Sequence, residues 1–178
     1  MEESNKGDGD RLVVAIDPGN IESAIVLVDD NLKPLEVGKY NNENVRQELR
    51  RYIKKYGHDL NIAIEMVASY GMAVGSTVFD TCVWIGRFIE MIESYNLNHY
   101  LIYRKDEKIN LCHTMKANDS NIIQALIDRF APNTSNRGKG TKKEPGWFFG
   151  FKKDIWQAYA VAVTFRDMYM KDGECNEN

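Results

Sequence analysis

The chain has 178 residues, 43% of them hydrophobic and 28% charged, a balance that suits one globular domain with its own core. No stretch of about 18 uncharged apolar residues offers a membrane span, and no early apolar run has the form of a signal peptide. The formal net charge is −3, but residues 1–10 and 172–178 carry −3 each and leave +3 on 11–171, so the overall sign does not exclude a polyanionic partner.

Residues 12–16 form a short apolar run rich in β-branched side chains, followed by Asp17-Pro18-Gly19 and a second run at 23–28. This reads as two antiparallel strands joined around 18–21. A third strand follows at 35–40. Asn41 or Asn42 then caps a helix whose apolar positions Val45, Leu49, Ile53 and Tyr56 keep helical spacing until Gly57. Residues 61–66 return as an apolar strand that ends near Glu65.

A glycine-bearing loop at 69–76 leads into a second helix over 77–95. Its apolar residues cover more than one face, so it needs burial on two sides, by the sheet and by a partner subunit. Residues 99–103 read as a fifth strand. Asp119 or Ser120 caps a third helix with Ile123, Leu126, Ile127 and Phe130 turned inward. Residues 132–150 form a long basic loop, and 153–170 a last helix with an apolar middle. The order βββαβαβαα implies an α/β fold with a mixed five-stranded sheet flanked by helices. It spans 11–171, between an acidic, disordered N-terminal tail (1–10) and an acidic C-terminal tail (172–178).

Cys82, Cys112 and Cys175 fit no zinc spacing and read as the reduced thiols of a cytoplasmic protein. His58, His99 and His113 are scattered, without a ligand-spaced pair. The acids are more informative. Asp17 closes an apolar strand and Glu65 lies between Ile64 and Met66 near the end of another. A carboxylate in such a strand is costly to bury unless it is paired or holds a metal. If the two strands are neighbours, Asp17 and Glu65 converge at one sheet end, and Asp154 at the start of the last helix closes the cluster. Hard oxygen ligands of this kind suit Mg²⁺, with Mn²⁺ as a substitute. Two such ions activate water and stabilise the leaving oxygen in phosphodiester cleavage. Taken singly, Asp17 is also readable as a turn residue, Asp154 as a helix cap and Glu65 as an exposed strand residue.

The segments Val14-Ala15-Ile16-Asp17-Pro18-Gly19-Asn20, Ile62-Ala63-Ile64-Glu65 and Asp154-Ile155-Trp156-Gln157-Ala158-Tyr159-Ala160 resemble the RuvC-like Holliday junction resolvases, a branch of the ribonuclease H-like superfamily. The likeness runs in consistent order through residues 12–166. The loop and helix at 69–88, with Gly71, Gly75 and the run from Phe79 to Phe88, look most like phage and prophage members, which work in the cytoplasm of a bacterium or an infected host. The resemblance implies a ribonuclease H-like fold and a homodimer joined through the helix at 77–95. It also implies paired cleavage of four-way DNA junctions, in recombination and repair, by a centre in which Asp17, Glu65 and Asp154 bind metal.

One position departs from the family pattern. The last helix usually offers two metal-binding side chains three residues apart, and here the pair is Asp154 and Gln157. A glutamine oxygen is neutral and a weaker ligand than a carboxylate. Asp119 and Asp80 are the candidate replacements. Lys116, within Thr114-Met115-Lys116-Ala117-Asn118-Asp119, resembles the family's basic residues near the scissile phosphate and suits charge stabilisation there.

For DNA contacts the sequence offers Arg104 and Lys105 after the fifth strand. It also offers the basic stretch Arg137, Lys139, Lys142, Lys143, Lys152 and Lys153, a local +5 over 133–153. Trp147, Phe148 and Phe149 either stack on an unpaired base or pack the loop onto the last helix. Tyr70 is a candidate wedge at a branch point. Two further readings stay open: a flap or RNA–DNA hybrid nuclease on the same fold, and a non-catalytic junction-binding protein. An actin-like ATPase would need two related halves and a far longer chain.

Overall fold

Strands that are apolar at nearly every position are stable only at the centre of a sheet covered on both faces. In the computed structural model, which describes residues 11–69, 71 and 73–170, β1 (Leu12–Asp17) holds that central place. It pairs antiparallel with β2 (Glu22–Val28), and β2 pairs antiparallel with β3 (Pro34–Asn41). On its other side β1 pairs parallel with β4 (Leu60–Met66), and β4 pairs parallel with β5 (His99–Tyr103). The sheet is therefore mixed and five-stranded, in the order β3-β2-β1-β4-β5.

Helices cover both faces, as the strand composition requires. Val14, Ile16, Ile25, Leu27, Ile62 and Ile64 point to α1 (Asn42–Tyr56) and α2 (Ser76–Ser94). Val13, Ala15, Ala24, Val26, Ala63 and Ile102 point the other way, to α4 (Asp119–Phe130) and α5 (Ile155–Tyr169). Each fully buried Val, Leu or Ile contributes about 1.5–3 kcal/mol of transfer free energy, so the two faces together fix the register. The alternation of period two makes a one-residue slip move every side chain to the wrong face.

The structure corrects three expectations. A helix absent from the sequence reading, α3 (Arg104–Cys112), follows β5 with no intervening loop. The cap of α4 is Asn118, whose side chain accepts from the Asn121 backbone N–H at 3.1 Å, rather than Asp119 or Ser120. Inside α4 the buried residues are Ile122, Leu126 and Ile127, while Ile123 and Phe130 are half-buried. The stripe is rotated because α4 packs against α3 as well as α5.

The basic loop is itself folded. Gly146 N donates to Lys139 O at 2.9 Å and Phe148 N to Gly138 O at 3.0 Å, closing a small hairpin-like knob. Gly140 sits at φ +65°, where a Cβ would meet Glu144 O at 2.3 Å. Of the two readings for the aromatics, packing holds for Phe148, which is fully buried, and for Trp147. The Trp147 ring stacks on Phe130 at 5.4 Å and its indole N–H donates to Tyr159 Oη at 3.0 Å. Phe149 remains exposed. No helix among the described residues is long and apolar enough to cross a membrane. The two tails and Tyr70 lie outside the described residues.

Candidate metal centre

The strand alternation that sorts the core also aims the acids. Asp17 shares its face of β1 with Val13 and Ala15, and Glu65 shares its face of β4 with Ala63. β1 and β4 are parallel neighbours in a register that pairs Ile16 with Ile64. Asp17 and Glu65 therefore stand side by side at the carboxyl ends of two adjacent parallel strands, on the face covered by α5. In open α/β sheets this is where ligands bind.

A small polar network shapes the turn that ends β1. Asn42, buried at the start of α1, donates from Nδ2 to Gly19 O at 2.9 Å and accepts from Ser23 Oγ at 2.6 Å; Gly19 N donates to that same Ser23 Oγ at 3.1 Å. A Cβ at Gly19 would lie 2.3 Å from Glu22 O, so only glycine fits this turn. Of the two asparagines considered as helix caps, Asn41 caps α1 by accepting from Asn44 N at 2.9 Å. Asn42 instead reaches back to hold the segment after Asp17.

Electrostatically the pair behaves as a shared-proton site. Desolvation first, then the neighbouring Glu65 and Asp154 carboxylates, push Asp17 up to about 9. Burial raises Glu65 as well, although Arg104 and the hydrogen bond from Asp17 oppose the rise. Without a cation, one proton is held between them and resides on Asp17. Asp154, the residue that opens α5, is 44% exposed and stands 2.7 Å from Lys39 Nζ on β3. Lys39 also reaches Glu22 at 3.4 Å. The hydrogen bond to Asp154 is the main reason that the Lys39 ammonium is held above its ordinary pKa.

Arg104 is the cation at the focus of the remaining acids. Its position follows from local structure: Tyr103 N donates to Asp106 Oδ2 at 3.1 Å, a capping arrangement that starts α3 the moment β5 ends. Glu65 pairs with Ile102 across the β4–β5 ladder, which brings the first turn of α3 beside the acidic pair. Arg104 donates to Glu107, Gln157 and Asp119. Burial opposes its charge, but Glu107, Glu65 and Asp119 outweigh that and raise its pKa. Arg104, expected as a DNA contact beyond the strand, is thus half-buried and occupied by the cluster.

Glu107 escaped the sequence reading altogether. It is 0% exposed, lies three residues into α3 from Arg104, and interacts electrostatically with both Glu65 and Asp17. Burial, then Glu65, raises its carboxyl well above the carboxylate range. Its Oε2 accepts from Arg104 at 2.5 Å, while Oε1 has no hydrogen-bond partner among the described residues. A helix reading of 104–112 would have placed Arg104, Glu107 and Leu111 on one face, so the signal was present. It was masked because no turn residue separates β5 from α3.

The other candidates separate by position. Gln157 is half-buried and its Oε1 is engaged by Arg104. Asp119 is exposed at the start of α4 and also bonds Arg104, whereas Asp80 is exposed on α2. Lys116 is exposed in the turn between α3 and α4, its backbone N donating to Thr114 Oγ1 at 3.3 Å. Lys105 is exposed beside the Tyr103 ring. Arg137, Lys142 and Lys143 are exposed on the knob with Lys139 half-buried, and Lys152 and Lys153 are exposed immediately before Asp154.

The donors fit a hard divalent cation in kind: carboxylates dominate, one buried oxygen lacks any partner, and the shared proton marks excess negative charge. Their spacing is open. Among the described residues, no three acids, histidines or thiols stand close enough to enclose one ion directly. Lys39 is paired with Asp154, and Arg104 with Glu107 and Asp119.

No family model and no curated protein matches the sequence. Solved structures do. The Thermus thermophilus RuvC in complex with Holliday junction substrate aligns with a TM-score of 0.63 at 13% identity, covering 89% of this chain and 96% of that one. The Thermus thermophilus RuvC structure aligns at 0.62 and 12% identity, with 88% and 96% covered. The Fowlpox virus resolvase in its Holliday junction DNA complex gives 0.47 at 15% identity, with 88% and 97% covered. The chain has the RuvC-like form of the ribonuclease H-like fold.

Proposed function

We propose that this protein is a Mg²⁺-dependent endonuclease that resolves four-way DNA junctions as a homodimer, with Asp17, Glu65 and Asp154 as metal ligands. One observation carries the reading. Asp17 and Glu65 converge at the carboxyl ends of β1 and β4, facing the start of α5 and Asp154, in a chain of RuvC-like fold. Mn²⁺ would serve in place of Mg²⁺.

Bound divalent ions would supply a water nucleophile at neutral pH and charge stabilisation for the departing oxygen. The protein's own groups prepare this. Asp17, Glu65 and Asp154 would hold the ions, with the Asp17 proton lost to solvent as they bind. Lys39, 2.7 Å from Asp154, balances that carboxylate until then. Arg104 keeps hold of Asp119 and Gln157 at the rim. Lys116 stands on the turn after α3, where a lysine suits the phosphate under attack. The exposed bases of the knob, with Lys105, Lys152 and Lys153, suit contacts to the backbone of a duplex arm.

The dimer reading rests on α2. Phe79 and Val83 are 62% and 61% exposed and, with Gly86, make an apolar stripe opposite the buried face of Ile85, Phe88 and Ile92. A second copy packing there would place two centres on one junction.

Cleavage assays with a four-way junction, a flap and an RNA–DNA hybrid test the substrate. The junction should be cut preferentially in Mg²⁺, and Asp17→Asn should bind it and leave it intact. Preference for the flap or hybrid would transfer the protein to another activity of the same fold. Junction binding without cutting in either metal would make it a binding protein.

A further inference from the structure

We propose that Glu107 is a metal ligand of this centre and supplies the fourth carboxylate that Gln157 does not. The inference rests on the metal-nuclease reading and adds a residue from a different element, α3 instead of α5.

Gln157 has one acceptor atom, Oε1, and Arg104 already donates to it. It brings no charge to the centre. Glu107 differs on both counts. Arg104 takes only its Oε2, and Oε1 is sealed from solvent with no hydrogen-bond partner among the described residues. A buried polar oxygen left unpaired costs about 1–3 kcal/mol, and more when it is charged, so folds keep one where something else uses it. Glu65 and Asp17, the pair at the strand ends, are the acids whose charge acts on it, and Arg104 joins it to Gln157 at the start of α5. The orphan oxygen therefore belongs to the one region where a cation is called for on independent grounds.

The topology makes this placement obligatory. β5 lies beside β4, and α3 begins at the first residue after β5. Glu107 is one helical turn in and is the buried residue of a helix that packs against both α4 and α5. A ligand from this turn reaches the centre from the side opposite Lys39 and Asp154. The acids would then bracket the site from three elements beyond the central strand: β4, α3 and the start of α5. Arg104, bonded to Glu107 Oε2 before any cation arrives, would yield that oxygen as the cation binds.

Mn²⁺ binding to the full-length protein without DNA, measured by calorimetry, tests the assignment. Wild type should bind Mn²⁺, and Glu107→Gln, which keeps an acceptor for Arg104, should lose at least tenfold in affinity or lose one equivalent. Adding Gln157→Glu to that variant should restore binding. Unchanged Mn²⁺ affinity and stoichiometry in a folded Glu107→Gln protein would overturn the role of Glu107 and leave the nuclease reading intact. No Mn²⁺ binding by wild type would overturn both. Should Glu107→Gln fail to fold, Mn²⁺-soaked wild-type crystals decide. An anomalous peak within about 2.0–2.4 Å of Glu107 Oε1 is the expected result, and peaks only elsewhere would refute it.

Discussion

The Lys39 ammonium stands 2.7 Å from the Asp154 carboxylate, and a divalent cation at the acidic pair must compete with it for that group. Lys39→Met should therefore tighten Mn²⁺ binding in the absence of DNA. The pair is partly exposed and solvent-screened, so the gain should be modest, about two- to fivefold, in keeping with at most about 1 kcal/mol for such pairs. Calorimetry on the folded variant measures it, and weaker binding would show that Lys39 helps assemble the site.

The metal-free protein should lose stability as pH rises. Burial and the neighbouring carboxylates push Asp17 up to about 9 in the folded protein, so between the ordinary carboxylate range and that value the folded state holds a proton that the unfolded chain has released. Stability is then greatest on the acid side of the window and declines toward pH 9. Mg²⁺ or Mn²⁺ displaces the proton and should raise the melting temperature more at pH 8.5 than at pH 6. Thermal melts with and without metal at the two pH values provide the check; an equal shift at both would remove the shared proton from the account.

Asn42→Ala should destabilise the fold and disturb the site together. The substitution removes the acceptor of Ser23 Oγ and the donor to Gly19 O, at about 1–3 kcal/mol for buried groups left unpaired. Denaturant unfolding gives the stability loss. Junction cutting should fall more than junction binding, because the network shapes the turn that follows Asp17.

Val83→Asp should produce a monomer. Val83 is exposed in the single subunit, so the change should cost the isolated fold little and act on the subunit contact. Sedimentation should show half the wild-type mass, and paired cuts should become uncoupled nicks. A wild-type protein that is already monomeric would remove α2 as an interface.

Lys142→Ala with Lys143→Ala should weaken junction binding at low salt and flatten its salt dependence. Each lost phosphate contact lowers the slope of log K against log[salt] by about 0.9. Binding titrations at several salt concentrations read this directly, and an unchanged slope would take the knob off the DNA.

Much of the fold was readable because the signals are local. The continuous apolar, β-branched runs at 12–16 and 23–28, the helical spacing of Val45, Leu49 and Ile53, and a cap at Asn41 or Asn42 depend on residues within one or two turns of each other. α3 was not readable, since it has nine residues, one buried side chain and no turn before it. That omission left Arg104 looking like a surface base and hid Glu107. The aromatics of the basic loop were ambiguous for a related reason. Whether Trp147 faces solvent or Phe130 depends on a helix ahead of it in the chain, beyond any local pattern.

From the sequence alone came the class of the fold, the pairing of an acid with the end of each of two apolar strands, and the substitution of glutamine at position 157. Those follow from composition and periodicity, which record burial one element at a time. Only the tertiary structure decided that Asp17 and Glu65 are neighbours, that Lys39 holds Asp154, and that Arg104 and Glu107 complete the cluster. These depend on which strand lies beside which. The parallel pairing of β1 with β4 and of β4 with β5 joins residues 48 and 37 positions apart in the chain, respectively, and the preference that selects it is the burial of both sheet faces at once.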